Sequence, residues 1–211
     1  MNENNGAPSL FSIRNKVALV TGGSRGIGLM IARGYVEAGA TVYITSRTAE
    51  VCKTVAEELS SIGRCISLPT DLSTVEGVEH LVREISEREE QLHMLVNNAG
   101  AAWGEPIETF PEKGFDKITD LNLKSLFFLT QGFGRKVIAA GREGRVVNIA
   151  SMLSFQGGIR VVSYTASKHG VLGVTRLLAC EWAAKGINVN AIAPGYIVTN
   201  NTEALRNDPD R

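Results

Sequence analysis

The chain has 211 residues, of which 44% are hydrophobic and 21% are charged, a composition typical of one globular domain with a core of its own. Its 22 basic and 22 acidic side chains cancel, which excludes the strong positive field of proteins that bind nucleic acid or an anionic membrane surface. The three cysteines and three histidines are scattered, so we expect no disulfide framework, no metal site and a reduced, cytoplasmic protein.

Residues 1–12 are polar and predict a flexible tail ahead of a single domain, residues 13–211. No apolar run in that domain reaches the roughly 18 residues of a membrane-spanning helix. Short apolar runs predict six strands, at 17–20, 41–45, 65–68, 92–96, 145–149 and 187–192. Amphipathic segments predict helices at 29–37, 49–62, 74–88, 111–140 (bent at Asn122) and 163–185. The alternation predicts an α/β fold of the Rossmann type, with a doubly wound parallel sheet covered on both faces.

A glycine-rich turn joins the first strand to the first helix. Glycines let the backbone approach a ligand closely, and a helix N-terminus offers free N–H groups to a phosphate. We therefore assign dinucleotide binding to Gly22, Ser24, Arg25, Gly26, Ile27 and Gly28, although a plain strand-to-helix turn has the same appearance. Residues 22–26 also fit the G-x-S-x-G pattern of serine hydrolases, with Ser24 as nucleophile. That function needs a histidine after a late strand, and no histidine stands there.

The charges at the end of the second predicted strand indicate which dinucleotide binds. NAD enzymes usually have an acid there to hold the ribose 2′-hydroxyl, whereas this chain has Arg47, with Arg25 on the same side. Two guanidinium groups suit a 2′-phosphate, so we expect NADP(H) to be preferred over NAD(H) unless both arginines are simply solvated. Asp71, followed by Leu72, comes after the third strand. Its carboxylate either accepts a hydrogen bond from the adenine amino group or serves the start of the next helix.

Polar residues that could take part in chemistry follow the later strands. The fourth strand is followed by Asn98, Ala99 and Gly100, which fit either a cofactor wall or an ordinary turn. Ser151 follows the fifth strand, and Tyr164 and Lys168 are four residues apart in the last helix, so their side chains share one face. A protonated lysine beside a phenol lowers the pKa of the tyrosine. Such a tyrosine can exchange a proton with a carbonyl oxygen while the serine hydroxyl holds the same oxygen.

Taken together, these motifs resemble the short-chain dehydrogenase/reductase family. The chain contains, in the family's order, Thr21-Gly22-x-x-x-Gly26-x-Gly28, Asn97-Asn98-Ala99-Gly100, Asn122, Ser151, Tyr164-x-x-x-Lys168 and Pro194-Gly195. The resemblance implies a nicotinamide cofactor and a catalytic tetrad of Asn122, Ser151, Tyr164 and Lys168. It implies that Tyr164 is the acid/base, that Lys168 also binds the nicotinamide ribose and that Asn122 holds a water of a proton relay. It further implies cofactor contacts at Pro194, Gly195, Ile197 and Thr199.

Two parts of the chain resemble different groups within that family. Residues up to about Gln131 are similar to NADPH-dependent β-ketoacyl reductases of rhamnolipid synthesis, whereas residues from about Asn148 are similar to sugar-acid dehydrogenases that act on deoxygluconates. We therefore predict an NADP(H)-dependent enzyme that interconverts a ketone and a secondary alcohol, with a 3-oxoacyl compound or a sugar acid as its small-molecule substrate. The alternative is a relative that binds the nucleotide but is catalytically weak or inactive.

The end of the chain prompts one more expectation. The family usually continues with a lid helix, another helix and a seventh strand, whereas this chain stops at Arg211. We expect that the family's C-terminal strand is missing and that the edge of the sixth strand is bare. We also expect a homo-oligomer, either a dimer or a tetramer.

Overall fold

One parallel sheet of six strands forms the centre of the protein. A computed structural model describes residues 11–199, 202, 206 and 207, so that residues 1–10 of the predicted tail lie outside the described part. The strands are β1 (Val17–Thr21), β2 (Thr41–Thr45), β3 (Cys65–Ser67), β4 (Met94–Asn97), β5 (Gly144–Ile149) and β6 (Ile187–Ile192). They lie in the order β3-β2-β1-β4-β5-β6, and every neighbouring pair is parallel. The predicted Rossmann-like sheet is therefore confirmed.

Helices connect successive strands and cover the sheet. They are α1 (Gly26–Glu37), α2 (Ala49–Ser60), α3 (Val75–Arg88), α4 (Glu112–Thr119), α5 (Ser125–Ala139) and α6 (Val162–Trp182). At Asn122, where the sequence predicts a bend, a π-helical stretch, Asp120–Lys124, lies between α4 and α5. In the described residues no helix is long and apolar enough to cross a membrane.

Alternate residues of each central strand enter two separate cores. On β1, Leu19 packs with residues of α3, α5 and α6, whereas Ala18 and Val20 pack with residues of α1 and α2. All three side chains are fully buried. Because burying one such aliphatic side chain contributes roughly 1.5–3 kcal/mol, both faces of the sheet hold the strands in a fixed register.

The chain reverses its direction of travel across the sheet between β1 and β4. From β1 it proceeds outward to β2 and β3, and it then returns to build β4, β5 and β6 on the other side. Ligands of such sheets bind outside the carboxyl ends of the strands at this switch point. At the far edge β6 is paired with β5 on one side and, within the described residues, with no strand on the other. The absence of the family's seventh strand stays a prediction.

Candidate active site

The glycine turn lies at the carboxyl end of β1, on the wall of a cleft of about 370 Å³. Gly22 has a left-handed backbone with φ of 64°, which residues with a side chain rarely adopt. A Cβ on Gly28 would lie 2.2 Å from the backbone oxygen of Gly22 and 2.5 Å from Nδ2 of Asn98. The start of α1 therefore packs so closely on the turn that only glycine fits, and the first N–H groups of the helix lie beside the cleft.

Positive charge surrounds this turn. The N-cap residue of α1 is Arg25, whose side chain makes no cap hydrogen bond. Arg25 and Arg47 both line the cleft, and among the described residues neither guanidinium group lies within 4.0 Å of a carboxylate. The helix dipole and the two guanidinium groups together favour a negatively charged ligand, so the cleft fits the phosphates of a dinucleotide.

The end of β4 holds the turn in place from the other side. Oγ1 of Thr21 accepts hydrogen bonds from the backbone N–H groups of Asn98 and Ala99, both at 2.9 Å. In return, Nδ2 of Asn98 donates to the backbone oxygens of Thr21 at 2.8 Å and Gly22 at 3.3 Å. Asn98, Ala99 and Gly100 line the cleft as the sequence predicts. The Asn98 amide itself is engaged with the glycine turn, so its role there is to fix the turn.

Asp71 and Leu72 are placed differently from each other. Leu72 is buried and lines the cleft. Asp71 is exposed, and its Oδ1 accepts a hydrogen bond from the backbone N–H of Ser73 at 2.9 Å, which lowers the pKa of the carboxyl group. The cap of α3 is Thr74, whose Oγ1 accepts from the N–H of Gly77 at 3.1 Å. Asp71 thus stabilises a local turn, and its contact with adenine stays a prediction.

Ser151, Tyr164 and Lys168 line the same cleft as the glycine turn. Ser151 lies two residues after the end of β5, and the other two residues lie in the first two turns of α6. Nζ of Lys168 lies 5.7 Å from the centre of the Tyr164 ring, which confirms that the spacing of four residues puts both side chains on one face. The Lys168 ammonium also donates a hydrogen bond to the backbone oxygen of Ile149 at 2.5 Å. The end of β5 therefore fixes the lysine beside the tyrosine.

Burial changes the pKa of both ionisable groups in this cluster. It lowers the pKa of Lys168 to about 8. It raises the pKa of Tyr164, and a hydrogen bond from Ser151 to the phenolate opposes that effect only in part. The expectation that the pKa of Tyr164 is lowered by Lys168 is therefore wrong for this structure. The reason is that the ring is removed from water while the ammonium is paired with the backbone oxygen of Ile149 and not with the phenol oxygen.

Asn122 is buried behind the cleft surface, in the π-helical stretch. Its side chain exchanges two hydrogen bonds with the backbone of Ala101, both at 2.9 Å. Its Nδ2 also donates to Oγ of Ser167 at 3.2 Å, and that hydroxyl donates to the backbone oxygen of Tyr164 at 2.7 Å. Asn122 is thereby connected to the turn of α6 that contains the tyrosine.

Most of the predicted site residues come together in the cleft. Its lining includes Gly22, Ser24, Arg25, Gly26, Ile27, Arg47, Leu72, Asn98, Ala99, Gly100, Ser151, Tyr164, Lys168, Pro194, Gly195, Ile197 and Thr199. Outside the lining are Gly28, Asp71 and Asn122. The sequence reasoning missed Thr45, Ser46, Thr48, Val51, Thr70, Leu121, Ile149, Ala150 and Thr202. The signal that could have identified many of them is their position just at or after the carboxyl end of a predicted strand.

A chain of buried hydrogen bonds supports the cleft from below, and the sequence reasoning missed it. Nδ2 of Asn97 donates to Oγ1 of Thr130 and to Oδ1 of Asn148, both at 2.8 Å. Nδ2 of Asn148 donates to Oγ1 of Thr175 at 2.9 Å. These bonds join β4 and β5 to α5 and α6. Because buried amides must be fully paired, they fix α6 against the strands whose ends form the site.

The structure does not support a serine hydrolase. Of the residues that the structure describes, no histidine lines the cleft that contains Ser24. His80 contacts Arg83, and His93 accepts a hydrogen bond from the backbone of β1. The third, His169, contacts a carbonyl oxygen within α6. In the same described ranges no group of three or more histidine, cysteine or acidic residues could hold a metal ion.

The sheet order, the phosphate-type cradle at the switch point and the serine, tyrosine and lysine on its wall define an oxidoreductase with a Rossmann-type fold. The chain belongs to the short chain dehydrogenase family, whose model matches residues 16–210. It is 48% identical over 204 residues to the 2-dehydro-3-deoxy-D-gluconate 5-dehydrogenase of Escherichia coli (strain K12), with 96% of this chain and 80% of that protein covered.

Two further comparisons agree with this assignment. The rhamnolipids biosynthesis 3-oxoacyl-(acyl-carrier-protein) reductase of Pseudomonas aeruginosa is 41% identical over 203 residues, or 94% of this chain and 79% of that protein. The solved gluconate 5-dehydrogenase from Burkholderia cenocepacia J2315, in complex with NADP and tartrate, has a TM-score of 0.89 and 32% identity, covering 95% of this chain and 78% of that chain. Both resemblances expected from the sequence are confirmed, and each match extends over nearly the whole chain.

Proposed function

We propose that this protein is an NADP(H)-dependent dehydrogenase that interconverts a ketone and a secondary alcohol of a sugar acid, with Tyr164 as acid/base. The observation on which this proposal chiefly rests is that Ser151, Tyr164 and Lys168 line the same cleft as the glycine turn. A proton donor and a dinucleotide cradle on one cleft are what a carbonyl reduction requires, because a proton and a hydride must reach the two ends of the same C=O bond.

The cofactor site uses backbone and charged groups. The N–H groups at the start of α1 and the glycine turn would hold the pyrophosphate, and Arg25 and Arg47 would hold the 2′-phosphate of NADP(H). Both guanidinium groups lie on the cleft wall. The solved relative from B. cenocepacia contains NADP, which supports the same choice here. The nicotinamide, when bound, supplies or accepts the hydride.

The proton chemistry belongs to the cluster at the start of α6. In the direction of reduction, Tyr164 donates its phenolic proton to the carbonyl oxygen, and in the direction of oxidation the phenolate takes the proton from the alcohol. Ser151 holds the same oxygen by a hydrogen bond. Lys168, whose ammonium is held at the end of β5 by the backbone oxygen of Ile149, would bind the nicotinamide ribose. Asn122 fixes the turn of α6 through Ser167 and holds a water of the proton relay.

The relatives favour a sugar acid as substrate. The E. coli dehydrogenase named for 2-dehydro-3-deoxy-D-gluconate is 48% identical to this chain, whereas the 3-oxoacyl reductase of P. aeruginosa is 41% identical. The B. cenocepacia structure contains tartrate, itself a hydroxy acid, together with NADP. A 3-oxoacyl thioester is the second candidate, because the similarity to the reductase extends over 94% of the chain.

We also propose that the protein is cytoplasmic and forms a homo-oligomer. All three cysteines have free thiols, as expected in a reducing compartment. Large apolar side chains are exposed on neighbouring helices, namely Phe115 on α4, Phe128 and Ile138 on α5 and Leu177 on α6. Apolar surface of this kind is typical of a face that another subunit covers.

A substrate panel tests the proposed function. The chain is assayed with 2-dehydro-3-deoxy-D-gluconate, gluconate and a 3-oxoacyl thioester, each with NADP(H) and NAD(H), by the absorbance of the reduced nicotinamide. We expect turnover with a sugar acid and the phosphorylated cofactor. Turnover of the thioester alone would transfer the assignment to the second candidate. Tight binding of NADPH, measured by fluorescence, without turnover of any of the three compounds would support the alternative of a binding-only relative.

A further inference from the structure

The loop after β5 contains a second buried serine that the mechanism above does not use. Ser151 begins a short 3₁₀ turn, Met152–Ser154, and its Oγ accepts a hydrogen bond from the backbone N–H of Leu153 at 3.1 Å. At the other end of the turn, Oγ of Ser154 accepts from the backbone N–H of Ser151 at 3.3 Å. The two serines therefore cap the same turn reciprocally, and the position of each depends on the other.

Ser154 also connects this turn to α6. Its side chain is only 3% exposed, and its hydroxyl donates a hydrogen bond of 2.7 Å to the backbone oxygen of Lys168. One oxygen atom thus contacts the backbone of Ser151 on one side and the backbone of Lys168 on the other. Tyr164 lies one helical turn before Lys168, so the same contact sets where Ser151 stands relative to the phenol.

We propose that Ser154 is a positioning residue that holds Ser151 in place beside Tyr164 on the wall of the cleft. This inference rests on the proposed function of Ser151 and Tyr164. Removing the Ser154 hydroxyl would leave the buried N–H of Ser151 without its partner, whereas the Lys168 carbonyl would keep its bond within the helix. The backbone N–H of Met152 would still donate to the backbone oxygen of Pro194 at 3.2 Å. The 3₁₀ turn would therefore tilt about Met152, and Ser151 would be free to move.

The expected effect is on turnover and not on cofactor binding. A displacement of about 1 Å at a catalytic group can cost on the order of 10²-fold in rate, so for Ser154→Ala we expect kcat to fall by roughly 10- to 100-fold. The affinity for NADPH should stay within about 2-fold, because the glycine turn is untouched. Ser86→Ala is the matched control, since that hydroxyl also donates to a backbone oxygen, Val82 at 2.6 Å, but on α3. It should leave kcat unchanged.

A double-mutant cycle separates positioning from general damage to the fold. The four proteins are the wild type, Ser151→Ala, Ser154→Ala and the double variant, assayed with 2-dehydro-3-deoxy-D-gluconate and NADP⁺. If Ser154 acts through Ser151, the second substitution should have little further effect once Ser151 is alanine. The inference would be overturned if Ser154→Ala lowered kcat by the same factor in the wild type and in Ser151→Ala, or if Ser154→Ala alone had wild-type kcat. If Ser151→Ala itself keeps full activity, the proposed function of Ser151 fails instead.

A titration of the phenol gives a readout that needs no turnover. In the wild type the Ser151 hydrogen bond opposes the effect of burial on the pKa of Tyr164, so Ser154→Ala should raise that pKa further, as followed by NMR of ring-labelled tyrosine. Lys168 is the charged neighbour and is the same in every protein compared. Ser154→Cys nearly fills the same space but forms weaker hydrogen bonds, so it should shift the pKa in the same direction by less. An unchanged pKa in both variants would contradict the inference.

Discussion

Replacing Gly28 with alanine tests whether the close contact between α1 and the glycine turn forms the cofactor site. The new Cβ would lie 2.2 Å from the backbone oxygen of Gly22 and 2.5 Å from Nδ2 of Asn98. Because ordinary contact begins at 3.4 Å, the start of α1 or the turn must move by roughly 1 Å. Overpacking of this kind costs about 1–3 kcal/mol, and here the atoms displaced are backbone atoms of the phosphate cradle.

The same helix offers a matched control. Gly34 is also in α1, is exposed, and has nothing within 4 Å of the position that its Cβ would occupy. Gly34→Ala should therefore raise the free energy of unfolding by about 0.8–1.0 kcal/mol through helix propensity alone and leave NADPH binding unchanged. Gly28→Ala gains the same helix propensity, but the collision of its Cβ with the turn opposes that gain. We therefore expect the free energy of unfolding to fall by up to about 2 kcal/mol and NADPH to bind at least ~10-fold more weakly.

Urea unfolding and titration with NADPH by fluorescence measure the two effects on the same preparations. The two alanine substitutions should differ in both measurements, with NADPH binding weakened only by Gly28→Ala. If Gly28→Ala were as stable as Gly34→Ala and bound NADPH equally well, the close packing at this turn would have no role in forming the site.

Three further predictions concern charge. Arg47→Asp should weaken NADPH binding and reverse or remove the preference for NADPH over NADH, measured by titration with both nucleotides. Equal affinity of the wild type for the two nucleotides would contradict the role given to the arginines. Lys168→Met should lower kcat and also weaken NADPH binding, and a normal affinity would show that the lysine does not contact the cofactor. The neutral His93 ring accepts a hydrogen bond from the backbone N–H of Val17 at 3.1 Å, and burial lowers its pKa below 6.5. The unfolded chain therefore binds more protons, so stability due to His93 is present above pH 6.5 and is lost as the pH falls toward the lower folded pKa. In urea unfolding at several pH values, His93→Asn should flatten that acidic slope, and an unchanged slope would contradict this account.

The sequence predicts the fold well because its signals are local. The apolar run of β1, the glycines after it and the amphipathic helix that follows all stand within about twenty residues of one another, so periodicity and turn chemistry suffice. The same alternation predicts a parallel sheet with right-handed crossovers. It does not determine the order of the six strands, because doubly wound sheets with this alternation occur in more than one order. The π-helical interruption of the fourth predicted helix falls at Asn122, where the sequence predicts a bend, but its π-helical form has no signal in the sequence.

The parts that the sequence does not predict depend on contacts between distant residues. Ser154 forms a hydrogen bond with Lys168, which is 14 positions away in the sequence, and Asn97 forms one with Asn148, which is 51 positions away. Neither pairing therefore has a local signal in the sequence. The raised pKa of Tyr164 also depends on distant residues. Spacing along the helix predicts Lys168 as its neighbour, but burial of the phenol by the surrounding elements has the larger effect on its pKa. A carboxylate such as Asp71 is ambiguous in sequence, because a turn and a ligand use the same acceptor atoms.

The measurement that tests the central claim most directly compares Tyr164→Phe with Tyr35→Phe. Each change removes one phenolic hydroxyl, but Tyr35 lies on α1 away from the cleft lining. With 2-dehydro-3-deoxy-D-gluconate and NADP⁺, we predict that Tyr164→Phe lowers kcat by at least ~10²–10⁴-fold, with NADPH affinity and melting temperature unchanged, and that Tyr35→Phe has wild-type kcat. Retention of most of the turnover by Tyr164→Phe would contradict the assignment of Tyr164 as the acid/base.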